Sequence, residues 1–483
     1  MADQSDVAQL DRLIGGPTPE MPKYSSKEWT FVQSTISGGA FANKIEFSTQ
    51  AVKSYVVWSE AFVRYTLHVT GTAFDATTAL AFREHCISTI YGVVVNVGSN
   101  NIVNLQHVNR MAWVRRQIGE SVDKAMRDAD LFQSSPDSIV NQSSTSNPVT
   151  EVVANAATEN GTKYAAATPL YGQADNANIG LGRRQICMKK YQQPDFSYHV
   201  ELHIPLRLLC GFFEKLDFAV SSLDMLITLQ MSGTPYSTEF LPVSLAYDAA
   251  QAGSAPVIQV LAGSQPRLYY PKVSFEPADA RDIEQIISAG SVYRLQYNDH
   301  TKYRYTGDST ANHIEWQVSP SIKGVKRVWL MLTKRTQVTA GVYRSQLNDA
   351  YSMGYNVQGA CTNINLRLNN VPYFENTVQS DAEAWELVKD LMKEGGASQQ
   401  GELLSFKQWR EHSRVYAFNV ERSHLSDPTL PQSVYLSFDR AGSSADGSIQ
   451  TLTQLTDNFE IECIVEYEQM VELNLAAATV IRL

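Results

Sequence analysis

Residues 198–231 read YHVELHIPLRLLCGFFEKLDFAVSSLDMLITLQM. Residues 199–204 alternate, with Val200, Leu202 and Ile204 on one side, which is the period of a strand with one buried face. Pro205 ends that ladder because it has no N–H to donate, and it suits the first turn of a helix. Leu206, Leu209, Phe213 and Leu216 then recur at spacings of three and four, predicting one apolar helix face. Asp217 ends the run, and residues 223–231 resume as an apolar strand. A short helix wedged between two strands predicts an all-β unit with a helix closing one end of a sheet pair.

The chain has 483 residues, too many for one ordinary core, so more than one domain is expected. Its 23 Tyr and 18 Phe favour strands. Upstream of the opening stretch, residues 29–33, 44–47, 55–58, 62–69 and 86–97 read as strands separated by Ser, Gly, Asn and Thr turns. Residues 107–132 change to a helical period through Val108, Met111, Ile118, Val122, Ala125 and Met126. Residues 133–184, rich in Ser, Asn, Ala, Thr and Gly, read as a surface excursion between strands.

Downstream, residues 240–246 and 257–261 are expected to close a first unit. Residues 268–275 open a second all-β series, and Pro271 predicts an edge strand there. A helix follows over 277–289, with Ile283, Ile286 and Ile287 on one side and Gly290 as its stop. Strands are expected at 292–297, 313–319, 325–333 and 362–368, with Asn369-Asn370 as a turn. Ser380 and Glu383 form a capping box for a helix over 381–394, which turns Trp385, Val388 and Met392 inward. Ser405 and Gln408 cap a short helix carrying Phe406 and Trp409, and strands follow at 415–420, 434–438 and 459–473. Both halves thus place a short helix just before a late strand, a sign of duplication.

The chemistry is bland. A net charge of −10 argues against coating nucleic acid, which needs clustered Lys and Arg. Cys86, Cys187, Cys210, Cys361 and Cys463 are scattered without a C-x-x-C pair, so buried free thiols are expected. No apolar run approaches the roughly 20 residues of a membrane span, and the opening MADQSDVAQLDRLIGG carries no signal-peptide pattern. Val7, Leu10 and Leu13 could form a helical turn before Gly15-Gly16-Pro17, so residues 1–23 read as an arm. His199, Glu201 and His203 share a strand face but miss the H-E-x-x-H offset, and they read as a polar sheet surface. Gly180-Leu-Gly182 lacks the strand that a nucleotide loop requires. Asp217, Glu276 and Asp279 suit helix caps. Arg115-Arg116, Arg183-Arg184 and Lys189-Lys190 could meet a phosphate-rich partner, but solvated charge or salt bridges to a neighbouring subunit is the plainer reading. No catalytic, cofactor-binding or metal-ligating residue is assigned, and neither an enzyme nor a cofactor is expected.

Residues 204–231, IPLRLLCGFFEKLDFAVSSLDMLITLQM, resemble the signature of double jelly-roll major capsid proteins of the Polinton and Polinton-like virus group, a lineage that includes adenovirus-hexon-like shells. PRLYYPKVSF (266–275), ADARDIEQIISAG (278–290), VYRLQYNDHTKYRY (292–305) and SFKQWREHSRVYAFNVERSHLSDP (405–428) follow in the family's order. The turn at Asn419-Val420-Glu421-Arg422-Ser423 and the segment Phe218-Ala219-Val220-Ser221 depart from its pattern. The resemblance implies an arm over 1–23, a first eight-stranded jelly roll over 24–265 and a second over 266–483, with short helices in loops. The excursion 133–184 would then be an outer tower. It implies a homotrimer forming a pseudo-hexagonal capsomer that tiles an icosahedral shell. Its partners would be neighbouring capsomers, penton and minor capsid proteins and an internal membrane, with no sequence-specific nucleic-acid binding. The location would be the virion, with synthesis in the host cell and no signal peptide. Two other readings stay open on the residues alone. A jelly-roll carbohydrate-binding module would need paired carboxylates or an aromatic platform on a sheet face. A cupin-type metal enzyme would need a His cluster on inner strands.

Overall fold

The computed structural model describes residues 24–35, 44–71, 78–82, 85–119, 139–141, 176–178, 187–221, 223–231, 240–244, 257–261, 263–288, 292–307, 311–334, 338–339, 342–343, 361–394, 414–421, 430–440, 459–474 and 479–482, with single residues 74, 184, 404, 406 and 409. Expectations on the arm 1–23, on the helix beyond Gly119, on most of the excursion 133–184, and on Ser405 and Gln408 lie outside the described residues. So do those on the side chains of Ile283, Ile286 and Ile287 and on Gly290.

The alternating stretches become strands because each has one face to bury. In the first unit they are β1 (Tyr24–Gln33), β2 (Lys44–Ser48), β3 (Tyr55–Val57, resuming as Phe62–Thr70) and β4 (Ile90–Val97). They continue as β5 (Asn100–Gln106), β6 (Tyr198–Pro205, resuming as Ala219–Ser221), β7 (Met225–Met231) and β8 (Arg267–Phe275). They form two sheets, in the orders β1-β8-β3-β6 and β2-β7-β4-β5. The second unit has β9 (Val292–Arg304), β10 (His313–Lys323), β11 (Val325–Lys334), β12 (Cys361–Leu368), β13 (Val371–Pro372), β14 (Val415–Asn419), β15 (Pro431–Arg440) and β16 (Phe459–Asn474). Its sheets run β9-β16-β11-β14 and β10-β15-β12-β13. Adding eight to every strand number of the first unit gives the second. The same topology occurs twice, each time as an eight-stranded jelly roll, as the resemblance implied.

The helices α1 (Val108–Gly119), α2 (Gly211–Lys215), α3 (Pro277–Ser288) and α4 (Asp381–Glu394) accompany the strands. α1 and α4 fill the same interval, between the fifth and sixth strands of their rolls, and pack on each other. The capping box of α4 is as expected, with the Glu383 N–H donating to Ser380 Oγ at 3.2 Å and the Ser380 N–H to Glu383 Oε2 at 3.3 Å. Asn369 and Asn370 both have positive φ, 51° and 65°, and turn β12 into β13 in two residues. Phe406 and Trp409 are helical and their rings stack, 6.1 Å between centroids. Of the excursion, Ile139–Asn141 and Asn176–Asn178 pair as short strands.

The stretch 198–231 departs from expectation in an informative way. β6 runs antiparallel to both segments of β3, so the two strands are interrupted opposite each other. β3 makes a 3-10 turn at Trp58–Glu60, while β6 leaves the sheet as a 3-10 turn at Leu206–Leu208 followed by α2. Two backbone bonds of 2.9 Å clamp the gap, Leu206 N–H to the Ala61 carbonyl and Ser59 N–H to the Leu216 carbonyl. The expected single helix is therefore two pieces, split at Cys210, whose backbone is extended (φ −153°). Leu206, Leu209, Phe213 and Leu216 still all face the first core. α2 starts hard against β9. A Cβ on Gly211 would stand 2.8 Å from the Asn298 carbonyl oxygen.

A second correction concerns β8. Residues 268–275 were expected to open the second unit at an edge, with the first unit ending at 265. Instead β8 lies inside the first roll's sheet, between β1 on one side and the two segments of β3 on the other. The first roll therefore runs through Phe275. Pro271 is tolerated there because it falls between the stretch paired with Phe62–Arg64 and the stretch paired with Tyr55–Val56, where the ladder is already broken.

Phe213 is fully buried, so Phe213→Asp is expected to abolish cooperative folding, seen as loss of the thermal transition in circular dichroism. Gly211→Ala should fold but lose about 1–3 kcal/mol in urea denaturation, because β9 must yield to the new methyl group. An unchanged midpoint would show that α2 does not abut β9.

Candidate functional site

The residues with strongly perturbed chemistry gather at the seam between the two rolls. α1 leaves the first roll with Val108 in the first core, yet its Met111, Trp113, Val114 and Ile118 belong to the second core. In return β9 and β16 send Leu295, Tyr297, Val471 and Leu473 into the first core. Phe212 of α2 meets the Tyr297 ring edge-on at 5.7 Å, and the Tyr297 hydroxyl donates to the Ile102 carbonyl of β5 at 3.1 Å. His300 Nε2 lies 3.1 Å from the Gln106 carbonyl, and Asn100 Nδ2 donates to the Val480 carbonyl at 2.9 Å.

Two carboxylates on β16 sit inside this seam. Glu462 and Glu466 are each 1% exposed. Lys302 Nζ holds Glu462 Oε1 at 2.6 Å, and Arg110 approaches its Oε2 at 3.7 Å. Arg115 holds Glu466 Oε1 at 2.9 Å, and Arg327 approaches its Oε2 at 3.6 Å. Burial pushes both carboxyls up, but the cations outweigh it, Arg110 and Lys302 for Glu462 and Arg115 and Arg327 for Glu466. Both end below the usual carboxylate range. The cations come from α1 of the first roll and from β9 and β11 of the second, so the pairs couple the rolls.

Asp299, next to this network, is pushed up to about 7 by burial, against the pull of Arg482 and Arg115. Its Oδ1 has no hydrogen-bond partner among the described residues. Burial, with Arg115 second, lowers His300 to about 4; burial and then Lys302 lower His107 to about 3. The sequence reading missed Glu462, Glu466 and Asp299. The available signal was Glu at alternate positions of a terminal strand that otherwise reads as core.

The residues singled out from sequence lie elsewhere or play quieter parts. His199, Glu201 and His203 point outward from β6, as the polar-surface reading expected. His203 Nε2 is 3.0 Å from Glu201 Oε1, Arg64 pairs with Glu201, and the His199 ring meets His68 edge-on at 5.0 Å. Among the described residues, no group of three or more His, Cys, Asp or Glu could hold a metal ion. Arg115 is spent on Glu466, Arg116 is buried, and Arg184 is buried and donates to the Phe82 carbonyl at 3.1 Å. None of these three offers a phosphate-binding surface. All five cysteines are free and buried, and burial pushes Cys86 and Cys210 up to about 12, which keeps both as thiols.

No protein-family model matches the sequence, and neither does any curated protein. The solved structures do. A chain of the Sputnik virophage, determined by cryo-EM, aligns over 97% of this chain and 90% of its own, at a TM-score of 0.56 and 10% identity. The mavirus major capsid protein aligns over 97% and 94%, at 0.52 and 11%. The Faustovirus major capsid protein aligns over 96% and 96%, at 0.51 and 10%. The chain has the fold of viral major capsid proteins. The alignments run over nearly the whole length on both sides, so both rolls belong to the shared fold.

The seam makes stability depend on pH. Asp299 has its folded value raised, so its contribution is complete below about 4 and is lost as pH rises through about 7. Glu462 and Glu466, with folded values lowered, lose their contribution as pH falls below the carboxylate range. His107 and His300, held neutral, also cost stability as pH drops below 6.5. Asp299→Asn removes only the first effect. Urea melts at pH 5 and pH 8 should show the stability difference shifting by about 2–3 kcal/mol in the variant's favour at the higher pH. A difference independent of pH would show that Asp299 is ionised in the fold throughout.

Proposed function

We propose that this chain is a major capsid protein, with a structural and not a catalytic role. Three copies form a pseudo-hexagonal capsomer, and capsomers tile an icosahedral viral shell. The observation that carries this reading is the tandem of identical roll topologies, matched end to end by the mavirus and Faustovirus major capsid proteins. The geometry supports it physically. The buried seam fixes the two rolls as one body, so three copies present six similar rolls around an axis. Each roll packs two sheets face to face and buries one side of both, which covers the apolar surface of a chain this rich in strands. Repetition then lets weak contacts add up.

In this reading residues 133–184 build an outer tower. The arm 1–23 meets neighbouring capsomers, minor capsid proteins or an internal membrane. Penton proteins fill the vertices, and the genome is not gripped by sequence-specific contacts. The protein resides in the virion.

Purified protein examined by light scattering after size exclusion should give the mass of three chains at micromolar concentration. Negative-stain images should show hexagonal particles or shells. A strict monomer under every salt and pH condition would overturn the proposal.

A further inference from the structure

The described imidazoles differ in what they bond. His85 accepts from the Ile87 N–H at 3.0 Å, and His107 lies 3.3 Å from the Tyr91 hydroxyl. His203 is 3.0 Å from Glu201, His300 3.1 Å from the Gln106 carbonyl and His313 2.5 Å from Asp439. Among the described residues, His68 and His199 alone have no hydrogen bond to a ring nitrogen, and these two face each other. The ladder sets their opposition, since His199 stands across from His68 in the pairing of β6 with β3. The His199 N–H donates to the Tyr191 carbonyl at 3.0 Å and so points away from β3. That makes them a non-hydrogen-bonded cross-strand pair, with Cα atoms about 4.5 Å apart and the closer side-chain approach of the two kinds. The rings are half-buried and meet edge-on, 5.0 Å between centroids. As a contact between two histidines the arrangement gains little, because protonating both sets like charges directly opposite.

Two neutral imidazoles placed in this way can chelate. Imidazole nitrogen suits Zn2+, Cu2+ and Ni2+. Two Zn–N bonds of about 2.0–2.1 Å at a tetrahedral angle call for nitrogens about 3.3 Å apart. Rings at this separation meet that spacing once each turns a nitrogen toward the other. Negative charge for a dication is at hand in Asp195, which accepts from the Ser197 N–H at 3.1 Å and its hydroxyl at 2.7 Å. Its carboxylate acts electrostatically on both rings. No third ligand is in place among the described residues, so water completes the coordination and the ion exchanges. The location gives such an ion a task. Val69 with Tyr198 is the next pair and the last of this ladder. Residues 257–260 join the same end of β3 from its other side, with Gln259 opposite His68. Ladders open first at their ends, and an ion held by both rings ties β3 to β6 there.

We propose that His68 and His199 form a two-histidine site for a divalent transition-metal ion, Zn2+ in the test below, which pins the rim of the first roll. The inference is independent of the capsomer reading. Calorimetric titration of the full chain, purified without a polyhistidine tag, with ZnCl2 at neutral pH should show a saturable site that MgCl2 does not fill. His68→Phe and His199→Phe keep a ring against its neighbour but remove a ligand. Either should weaken zinc binding about a hundredfold, because the second imidazole otherwise binds within the same molecule. Zinc should also raise the urea midpoint of the wild type and of neither variant, since an ion that bridges two strands binds only the folded chain. A wild type that takes up no zinc would overturn the proposal. So would variants that bind zinc as the wild type does, or a wild-type midpoint that saturating zinc leaves in place.

Discussion

The seam between the two rolls depends on keeping two buried carboxylates paired. Glu462 and Glu466 are out of water on β16, and removing one partner from such a pair typically costs about 3–5 kcal/mol. Arg110 and Arg115 reach them from a helix that belongs by sequence to the other roll. Separating the rolls would take Arg110 and Arg115 away and leave Glu462 and Glu466 with only Lys302 and Arg327 of their own roll. A seam made only of Leu and Phe could slide. One that includes directed ion pairs from Arg110 and Arg115 fixes a register between the two bodies.

Much of the fold was legible in the sequence because burial on one face imposes a period of two. Val200, Leu202 and Ile204 identify β6, and Ser380 with Glu383 marks the start of α4. Both signals are local. What was not legible is what pairs across hundreds of residues. Nothing in PRLYYPKVSF says that it will lie beside β1, so β8 read as the start of a new unit. Likewise the apolar spacing from Leu206 to Leu216 fits one continuous helix. The chain instead breaks at Cys210, and Gly211 then packs against Asn298 of the other roll, a contact that no local spacing announces. The seam itself was hidden for the same reason. Acids on a strand and arginines on a helix become one network only after both rolls exist.

The comparisons make the same point from the opposite side. About 10% identity is retained over nearly the full length of several capsid proteins. A jelly roll asks only for alternation, turn residues at the corners and a filled interior, and very many sequences meet those demands.

The pairing of β1 with β8 also bears on how the chain comes off the ribosome. Tyr24 finds its partner at Phe275, and the first core is completed by residues as late as Val471, Leu473 and Val480. Contacts so distant in sequence make folding slow and give a nascent fragment no complete core of its own. The first roll therefore cannot mature while the second is still being synthesised. A truncated product would be left unfinished in both halves.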